Sequence, residues 1–410
     1  MSVLFLNPVG ILGGGERSLL DIIAVLRRQR PELPLRLVAG AEGPLLGEAS
    51  RLGAEIEVVP MPPALAGFGD SGLVLAGGTK LGRVAGLGAG ALRAAAALPG
   101  YLSRLRSAVR RARPRLVHSN GLKCHLLAGP VAPLGCPVVW HVRDFLSSRP
   151  ILGRLLRRFA KPPSVAIANS YAVAADTQAL LPGVRVEAVY NGIDTAYFSP
   201  GPKNGVDLDA LAGLPAASPG TVRVGLVATY ARWKGQEVFI DAAGDLVRVG
   251  VSGVRFYLVG GAVYSTAGSQ WTAHELRSRI ADQGLSRCCG LVPFQRDLSP
   301  IYRALDIVVH ASTRPEPFGR TIVEAMACGR AVVMALAGGA AELAEDGRDA
   351  IGVPPNSVPA LAAALARLCR DPRLRESLGS AARTTAVARF DRAVMGRELL
   401  RVYDSLGVSA

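Results

Sequence analysis

The chain has 410 residues, with 47 Lys and Arg against 32 Asp and Glu, which gives a formal net charge of +15. Half of the residues are apolar and 19% are charged, a balance that excludes a disordered or purely solvating chain. At about 150 residues per domain, the length predicts two or three domains, each with its own core. Residues 71–161 hold sixteen Lys and Arg and one acid, Asp144, so this segment carries the whole net charge and indicates an anionic partner.

The cysteines and the N-terminal residues predict a cytoplasmic protein. None of the six cysteines forms a C-x-x-C pair, which is typical of reduced, buried thiols; a vicinal redox pair at Cys288 and Cys289 is the less favoured alternative. Residues 1–8 lack the basic start of a signal peptide. The longest apolar stretch, 84–98, is interrupted by Arg93, so we expect no membrane-spanning segment.

Short apolar runs alternate with amphipathic stretches through the first half of the chain. Strands are predicted at 3–6, 35–38, 56–59, 116–118, 138–141 and 165–168. A helix is predicted over 18–30, where Leu19, Leu20, Ile23 and Leu26 recur at helical spacing. This alternation predicts a parallel, doubly wound sheet.

The pattern breaks at residues 194–220, which are rich in Pro, Gly, Ser and Asp, and then resumes. The second series contains predicted strands at 222–228, 256–259, 307–310 and 331–334, a helix at 238–249 and a final helix at 383–406. We therefore expect an N-terminal Rossmann-like domain at 1–195, a hinge at 196–220 and a C-terminal Rossmann-like domain at 221–387. A C-terminal helix at about 388–410 is expected to pack back on the first domain, and the ligand to bind in the cleft between the domains.

The strongest chemical pattern lies in residues 314–333. Two carboxylates, Glu316 and Glu324, are separated by seven residues and flank a predicted helix start. The backbone N–H groups near Gly319 to Ile322 can receive a phosphate at that helix start. One carboxylate on each side of a phosphate suits a nucleotide-sugar, with one acid for sugar hydroxyls and the other for ribose hydroxyls.

Two loops carry further candidates for phosphate binding. Arg232 and Lys234 occupy alternate positions after the strand at 222–228, where two cations can clamp a diphosphate; a solvated pair is the alternative. Gly14 and Gly15 belong to a glycine run after the first strand, where the backbone can approach a phosphate or sugar closely. A tight turn without a ligand is the alternative for this run.

Two strand-end histidines are candidates for contact with a ligand. His141 ends the strand at 138–141 and precedes Arg143, and His118 lies at the end of the preceding strand. A satisfied structural histidine is the alternative for both, and His141 is the favoured functional residue. The pair Asp207 and Asp209 has the D-x-D spacing of some metal sites but lies in the predicted hinge, so no metal site is expected.

These motifs together resemble the retaining glycosyltransferases of family 4, which have the GT-B fold of two facing Rossmann-like domains. The resemblance covers nearly the whole chain and rests on PEPFG at 315–319 with EAMA at 324–327, RWKGQ at 232–236, VYNGID at 189–194 and GGGE at 13–16. It implies that Glu316 contacts the donor sugar and that Glu324 binds the ribose. It also implies that Arg232 and Lys234 neutralise the leaving nucleoside diphosphate and that His141 contacts the donor sugar near the reacting carbon.

The resemblance extends the donor site to residues around these motifs. The further residues are Gly14, Gly15, Gly260, Phe318, Gly319, Arg320 and Thr321. It implies transfer with retention, without a metal or a cofactor besides the nucleotide-sugar, with UDP-sugars favoured and GDP-mannose second. The acceptor stays open among lipid-linked saccharides, polysaccharide precursors and small metabolites of bacterial glycan biosynthesis. A departure from the family is that Gln295 and Arg296 stand where a glycine is frequent.

The basic segment predicts a second partner. In a helix at 151–161, five apolar residues share one face and are flanked by four Lys and Arg, and residues 101–113 are similar. Such helices can lie on anionic lipid, so we expect peripheral binding to the inner face of a membrane; a core-facing helix with a solvated basic back is the alternative. Two other functions stay open, a sugar-nucleotide epimerase or phosphorylase of the same fold and a nucleic-acid-binding protein. Nucleic acid is disfavoured because no interleaved aromatics or known motif accompanies the charge.

Overall fold

The computed structural model describes residues 2–67, 80–262 and 268–408, with the side chains of all of these except 80–89 and 204. The chain forms two compact units, of which the first comprises residues 1–192 and 392–410 and the second residues 193–391. Each unit contains one parallel sheet with helices around it, which confirms the predicted α/β class with two Rossmann-like sheets.

The first unit is built on a seven-stranded parallel sheet of order β3-β2-β1-β4-β5-β6-β7. The strands are β1 (Val3–Asn7), β2 (Leu35–Ala39), β3 (Glu55–Val58), β4 (Leu116–Asn120), β5 (Val138–Val142), β6 (Val165–Ala168) and β7 (Val186–Ala188). The central strands β1, β4 and β5 are buried at every position. Helices cover both faces of a parallel sheet, which is why these strands are continuous apolar runs in the sequence.

Helices pack on both faces of this first sheet. They are α1 (Gly14–Gln29), α2 (Pro44–Arg51), α3 (Pro63–Ala66), α4 (Lys80–Ala112), α5 (Leu122–Val131), α6 (Pro150–Phe159), α7 (Tyr171–Leu180) and, from the C-terminus, the helix Arg392–Asp404. On one face Val3, Phe5 and Leu116 pack with α1 and the C-terminal helix. On the other face Leu4 and Val117 pack with α4, α5 and α6.

The second unit is built on a six-stranded parallel sheet of order β10-β9-β8-β11-β12-β13. The strands are β8 (Val222–Val227), β9 (Val254–Val259), β10 (Cys289–Val292), β11 (Ile307–His310), β12 (Ala331–Ala335) and β13 (Ile351–Val353). The helices are α8 (Leu208–Ala212), α9 (Gln236–Arg248), α10 (Ala273–Asp282), α11 (Ser299–Ala304), α12 (Arg320–Ala327), α13 (Val358–Arg370) and α14 (Pro372–Phe390). The core between this sheet and its helices includes Phe239, Phe256 and Leu365.

The predicted strands agree with the observed ones to within two residues at each end. The sequence pattern did not predict β7, β10 and β13, each of which is three or four residues long and lies at an edge of its sheet. Edge strands are shorter than central ones and need no long apolar run, so their sequence pattern is weak.

The prediction of a single C-terminal helix at 383–406 is wrong, because two helices meet there. Helix α14 ends at Phe390 and the last helix, α15 (Arg392–Asp404), begins two residues later. Between them Asp391 is extended, with φ −63° and ψ 139°, and its carboxylate accepts a hydrogen bond from the Thr195 hydroxyl. The chain passes from the second unit back to the first at this break, and α15 packs on α1.

Residues 196–220, expected to be a hinge, lie within the second unit and include α8. In that segment the carboxylate of Asp207 caps α8 by accepting from the backbone N–H of Ala210 at 3.0 Å. The buried carboxylate of Asp209 accepts from the Tyr257 hydroxyl at 2.7 Å. Both acids of the D-x-D pair thus have structural partners. Among the helices described, none is long and apolar enough to cross a membrane.

Candidate active site

The loops after four strands of the second sheet carry most of the predicted site residues. Strand β8 leads to a single 3-10 turn at Arg232–Lys234, β9 leads to Gly260, and β11 leads to Ser312. After β12 the backbone at Gly338 forms a bridge with Glu316. Because the strands are parallel, their carboxyl ends meet at one edge of the sheet, the usual ligand edge of such folds.

At this edge the half-buried Lys234 and the buried Glu316 form an ion pair. The Lys234 Nζ lies 2.7 Å from both Glu316 carboxylate oxygens and 4.0 Å from the centroid of the Trp233 ring. One of these oxygens, Oε2, also accepts from the Ser312 hydroxyl at 2.8 Å and lies 3.3 Å from Nε2 of His310. Glu316 is 8% exposed. Its carboxylate is therefore held in one orientation by side chains from two loops and one strand end.

Charge and burial act in opposite directions on Glu316. Burial would raise the pKa of its carboxyl, because water no longer solvates the charged form. The charge of Lys234 and the hydrogen bond from His310 outweigh burial and hold the pKa well below its ordinary value. At neutral pH the side chain is an ionised hydrogen-bond acceptor, suited to bind hydroxyl groups and unsuited to donate a proton.

Arg232 shares the turn with Lys234 but binds a different acid. Its Nη2 donates to the Glu275 carboxylate at 2.7 Å, and its guanidinium lies 3.8 Å from the centroid of the Trp271 ring. Glu275 also closes the capping box of α10 with Thr272. Hydrogen bonds from Thr272 and then from Arg232 lower the pKa of Glu275 to about 2. Lys234 thus contacts Glu316, whereas Arg232 on the same turn contacts Glu275 and Trp271.

The second predicted carboxylate, Glu324, lies on α12 and is 3% exposed. Its Oε1 accepts from Nε of Arg320 at 2.7 Å, one turn earlier on the helix, and its Oε2 accepts from the Tyr302 hydroxyl at 2.9 Å. Thr321 lies half-buried in the first turn of α12. Arg320, Thr321 and Glu324 are therefore grouped at the start of one helix, as the sequence predicted.

The residues just before α12 differ in what they can offer a ligand. Phe318 is 3% exposed and its ring packs against Phe390 at a centroid distance of 6.0 Å, so its side chain is a core residue. Gly319 has φ +99°, and a Cβ there would lie 2.8 Å from Cδ1 of Ile322. A glycine is required at this position for the backbone to enter the helix.

Gly260 is required by the packing of two strand ends. Its φ is +154°, and a Cβ on it would lie 1.9 Å from the carbonyl oxygen of Ala228. The loops after β8 and β9 approach each other so closely that no side chain fits between them. This close contact explains why residue 260 is a glycine, even if no ligand binds there.

The prediction that Gly14 and Gly15 lie in a loop is wrong, because both belong to the first turn of α1, which follows the N-cap residue Gly13. The Glu16 carboxylate accepts from the Gly13 N–H at 3.1 Å and stabilises this start, four residues before the predicted one. A Cβ at Gly14 would meet no atom within 4 Å, and one at Gly15 would lie 3.6 Å from Cδ of Arg143.

A buried polar cluster lies at the carboxyl edge of the first sheet and contains His141. Nδ1 of His141 lies 3.1 Å from Nε2 of His118, and Nδ1 of His118 lies 2.6 Å from the Tyr403 hydroxyl of α15. Arg143 donates to the side-chain carbonyls of Asn120 at 2.6 Å and Asn191 at 2.7 Å. His141 is 1% exposed, and its Nε2 has no hydrogen-bond partner within the part of the chain that the structure describes.

Several of these partners were not predicted as site residues. His310, Ser312 and Tyr403 occur in no recognisable motif, and only the fold brings them to Glu316 and His118. Asn191 belongs to the VYNGID motif, which supported the family resemblance but suggested no role for this side chain. In the described ranges, no three His, Cys, Asp or Glu side chains are grouped as metal ligands would be.

Two family models match the chain and together cover most of it. Residues 12–197 match the model described as Glycosyltransferase Family 4, and residues 221–371 match the model described as Glycosyl transferases group 1. The chain is 30% identical over 183 residues to an alpha-D-kanosaminyltransferase of Streptomyces kanamyceticus, a match that covers 44% of this chain and 45% of that protein. It is 33% identical over 208 residues to a D-inositol 3-phosphate glycosyltransferase of Mycobacterium tuberculosis, over 49% of this chain and 40% of the relative. The chain thus spans less than half the length of these curated relatives.

Solved structures match over the full length. The crystal structure of HepE from Anabaena in complex with UDP-glucose superposes with a TM-score of 0.77 at 26% identity, covering 99% of this chain and 100% of that one. A glycosyltransferase from Rickettsia africae superposes with a TM-score of 0.73 at 17% identity, over 100% of this chain and 99% of that one, and shows the shared fold. The sheets, the carboxylates of the second unit and these matches lead to one conclusion: the chain belongs to the family 4 glycosyltransferases with the GT-B fold.

Proposed function

We propose that the protein transfers a sugar from a nucleotide-sugar to an acceptor hydroxyl with retention of the anomeric configuration. The observation that carries this proposal is the ion pair of the half-buried Lys234 and the buried Glu316, held at the ligand edge of the second sheet by His310 and Ser312. The ionised Glu316 accepts hydrogen bonds from the donor sugar hydroxyls. Lys234 places a cation where the diphosphate leaves.

The charges in the site suit the departure of a diphosphate. As the bond between the anomeric carbon and the phosphate oxygen breaks, negative charge develops on that oxygen, and a fixed cation stabilises it. Lys234 supplies the cation, Arg232 supplies a second one on the same turn, and the N–H groups at the start of α12 receive the phosphate. These groups fill the role that a divalent ion has in other transferases, so we propose transfer without a metal.

The proposed retention of configuration follows from the face on which the acceptor attacks and from the group that takes its proton. The bond from the acceptor oxygen to the anomeric carbon forms on the face that the phosphate leaves, and the departing phosphate oxygen takes the acceptor proton. Glu316 does not act as the base, because its carboxylate is already bound by Lys234, Ser312 and His310.

We propose UDP-sugars as donors first and GDP-mannose second. The support for UDP is the full-length similarity to HepE, which has been solved with UDP and with UDP-glucose. The acceptor is a hydroxyl of a lipid-linked saccharide, a polysaccharide precursor or a small metabolite.

The test is a transfer assay with labelled UDP-sugars and GDP-mannose, in which NMR reads the anomeric configuration of the product. We expect retention, and a loss of at least about 100-fold in Lys234→Ala and Glu316→Gln. The matched control is Lys203→Ala, which removes an exposed lysine paired with Asp306 in the same unit. Full activity in both site variants would overturn the proposed site. An epimerised sugar nucleotide formed without acceptor would favour the epimerase instead.

We also propose that the first unit docks on an anionic membrane to reach a lipid-linked acceptor. On α6, Leu152 and Leu156 turn into the core, whereas Ile151 is 52% and Phe159 is 70% exposed. Arg154, Arg157, Arg158 and Lys161 are exposed around them. The core thus takes part of the predicted apolar face, and two large apolar side chains stay outside among cations.

The basic surface of α6 continues onto the neighbouring helices. Lys161 packs closely on α5, where a Cβ added to Gly129 would lie 2.6 Å from Cβ of Lys161. Arg106 of α4 also contacts α5, since its Nε donates to the carbonyl of Pro130 at 3.1 Å. Leu134, just after α5, is 99% exposed. Part of the predicted basic segment, residues 71–79, lies outside the described residues.

Vesicle co-sedimentation tests the docking. We expect binding to vesicles with an anionic lipid at low salt, and a large loss in the triple variant Arg154→Gln, Arg157→Gln, Arg158→Gln. A triple variant at Arg367, Arg370 and Arg373, exposed arginines of the second unit, removes the same charge and should bind as the wild type does. Equal binding by both triple variants, or none by the wild type, would contradict the proposal.

A further inference from the structure

Three aromatic side chains form a buried hydrogen-bonded series in the first unit. The Tyr403 hydroxyl of α15 lies 2.6 Å from Nδ1 of His118, and Nε2 of His118 lies 3.1 Å from Nδ1 of His141. Their exposures are 1%, 0% and 1%. His118 of β4 and His141 of β5 lie on adjacent strands, two register positions apart, with ring centroids 5.2 Å apart. The series ends at Nε2 of His141, which has no partner among the described residues.

The hydrogens of this series can run in two directions. A neutral imidazole carries one N–H and one acceptor nitrogen, and a tyrosine hydroxyl can donate or accept. In the outward order, Tyr403 donates to His118, His118 donates to His141, and Nε2 of His141 carries a hydrogen. In the inward order every bond is reversed, and Nε2 of His141 carries a lone pair. The heavy-atom distances alone suit both orders.

Arg143 distinguishes the two orders. Its Nη2 lies 3.4 Å from Nδ1 of His141, and a guanidinium can only donate. In the inward order two N–H groups would face each other at this contact, whereas in the outward order the Arg143 N–H faces the lone pair of Nδ1. The outward order is therefore the compatible one.

Arg143 is fixed in this position by two amides. Its Nε donates to Oδ1 of Asn120 and its Nη1 donates to Oδ1 of Asn191. The Asn120 amide is itself oriented, because its Nδ2 donates to Oδ1 of Asn7 at 2.6 Å. The guanidinium cannot rotate its donors away from His141 without breaking these bonds.

We propose that Arg143 imposes the outward order on Tyr403, His118 and His141, so that Nε2 of His141 is a hydrogen-bond donor to an oxygen of a sugar substrate at the carboxyl edge of the first sheet. This inference rests on the proposed function and deepens it, since it assigns the direction of that hydrogen bond. Arg143, His118 and Tyr403 are positioning residues that act through His141. The C-terminal helix α15 thus contributes to the site by supplying Tyr403.

The surroundings keep both imidazoles neutral, so that the order is defined at neutral pH. Burial, and then the charge of Arg143, lower the pKa of His141 and of His118 well below the ordinary value. Burial, and then the charge of Arg143, also lower the pKa of His125 to about 3; its ring stacks on Trp140 and its Nδ1 lies 2.8 Å from the Ser119 hydroxyl oxygen. A ring that already carries its hydrogen on Nε2 cannot take the acceptor proton there, which agrees with the leaving phosphate as the proton acceptor.

The tautomers can be measured by long-range 1H–15N correlation NMR on the full chain with 15N-labelled histidine. The five histidines are assigned by single substitutions. The proposal predicts that His118 and His141 both have the hydrogen on Nε2 between pH 6 and 8. A hydrogen on Nδ1 of His141 in the wild type would overturn it.

Variants at the two ends of the series separate the causes. Arg143→Met removes the donors that face Nδ1 of His141, so both hydrogen-bond orders should be populated. Each ring should then be a mixture of its two tautomers, with the same fraction protonated at Nε2 in His118 and in His141. Arg143→Lys keeps a cation that can only donate and should restore the Nε2 hydrogen. Tyr403→Phe leaves Arg143 in place, so His141 should keep its tautomer while the His118 signals shift. A change of the His141 tautomer in Tyr403→Phe but not in Arg143→Met would contradict the role of Arg143.

This readout does not depend on sugar transfer. If the tautomers are as predicted and no sugar is transferred, the proposed function fails and the hydrogen-bond order stands. If sugar is transferred and His141 carries its hydrogen on Nδ1, the proposed function stands and the outward hydrogen-bond order fails.

Discussion

The carboxylate of Glu316 shows how one residue can be buried and still stay charged. It exchanges water for two contacts with Lys234, one with Ser312 and one with His310. A buried carboxylate without such partners would take up a proton. The interactions that make it stable in the protein are the same ones that make it an acceptor for hydroxyl groups.

The Lys234–Glu316 pair predicts a pH dependence of stability. Since the folded-state pKa of Glu316 lies below the ordinary value of 4.5, its contribution is present in full above that value. It is lost as the pH falls below 4.5 toward the folded-state pKa. Relative to the wild type, Glu316→Gln should be less stable by about 1–3 kcal/mol at pH 7, and the difference should shrink below pH 4.5. Urea unfolding at several pH values measures it, and a difference that grows on acidification would contradict the pair as described.

Adjacent glycines after β9 should respond differently to an added methyl group. In Gly260→Ala the Cβ would lie 1.9 Å from a backbone oxygen at φ +154°, whereas in Gly261→Ala it would lie 3.5 Å from Cβ of Phe294, an ordinary contact. We expect Gly260→Ala to lose more than about 1 kcal/mol of stability and Gly261→Ala to lose less than about 0.5 kcal/mol. Thermal unfolding compares them, and equal losses would refute the packing argument.

At the residue scale, the sequence indicated which charged side chains belong to the site but not which residues contact them. Glu316, Lys234 and Glu324 were recognisable because they lie in compact motifs. Their partners His310, Ser312 and Tyr302 are ordinary residues whose role depends on the order of the strands. Arg232 was grouped with Lys234 by its spacing and by the resemblance of RWKGQ to the family motif; in the structure its guanidinium contacts Glu275 and Trp271.

At the scale of elements, the start of α1 lies where the sequence indicated a loop. Glycines have low helix propensity, so the run at 13–15 suggested that the helix began later. The capping interaction of Glu16 with Gly13 starts it earlier and places Gly14 at an exposed N-terminal turn. A helix start of this kind offers free backbone N–H groups to an anion.

The exposed glycine of α1 provides a test of ligand approach. A methyl group on Gly14 meets no atom within 4 Å, so Gly14→Ala should fold and be as stable as the wild type or up to about 1 kcal/mol more stable. If donor or acceptor approaches this backbone, the methyl group should raise KM several-fold. Gly47→Ala is the matched control, since Gly47 lies in α2 and a Cβ there also meets nothing within 4 Å. A similar KM in both variants would show that no ligand approaches Gly14.

The central strands were predictable and three short edge strands were not, for a physical reason. Central parallel strands are covered on both faces and must be apolar throughout, whereas β7, β10 and β13 are paired on one side and are short. The break at Asp391 depends on a hydrogen bond from Thr195, nearly 200 positions away, which no local pattern reveals.

At the scale of the whole molecule, the chain crosses between its units twice, near residue 192 and near residue 392. The first unit is therefore completed only when α15 packs on α1 and supplies Tyr403 to His118. The site residues of the second unit are contained in one continuous segment, 193–391. The carboxylate and cation motifs of that segment were recognisable in the sequence, whereas the polar cluster of the first unit required the folded C-terminus.

The most direct test of the nucleotide-sugar site is the melting temperature with UDP, GDP, ADP and their sugar conjugates, measured on the wild type, Lys234→Ala and Lys203→Ala. A ligand that binds only the folded state raises the melting temperature, by about 5 °C when its concentration is 100 times Kd. We expect a shift with one base, UDP first, that is lost in Lys234→Ala and kept in Lys203→Ala. An equal shift in Lys234→Ala, or no shift with any of these nucleotides in the wild type, would contradict it.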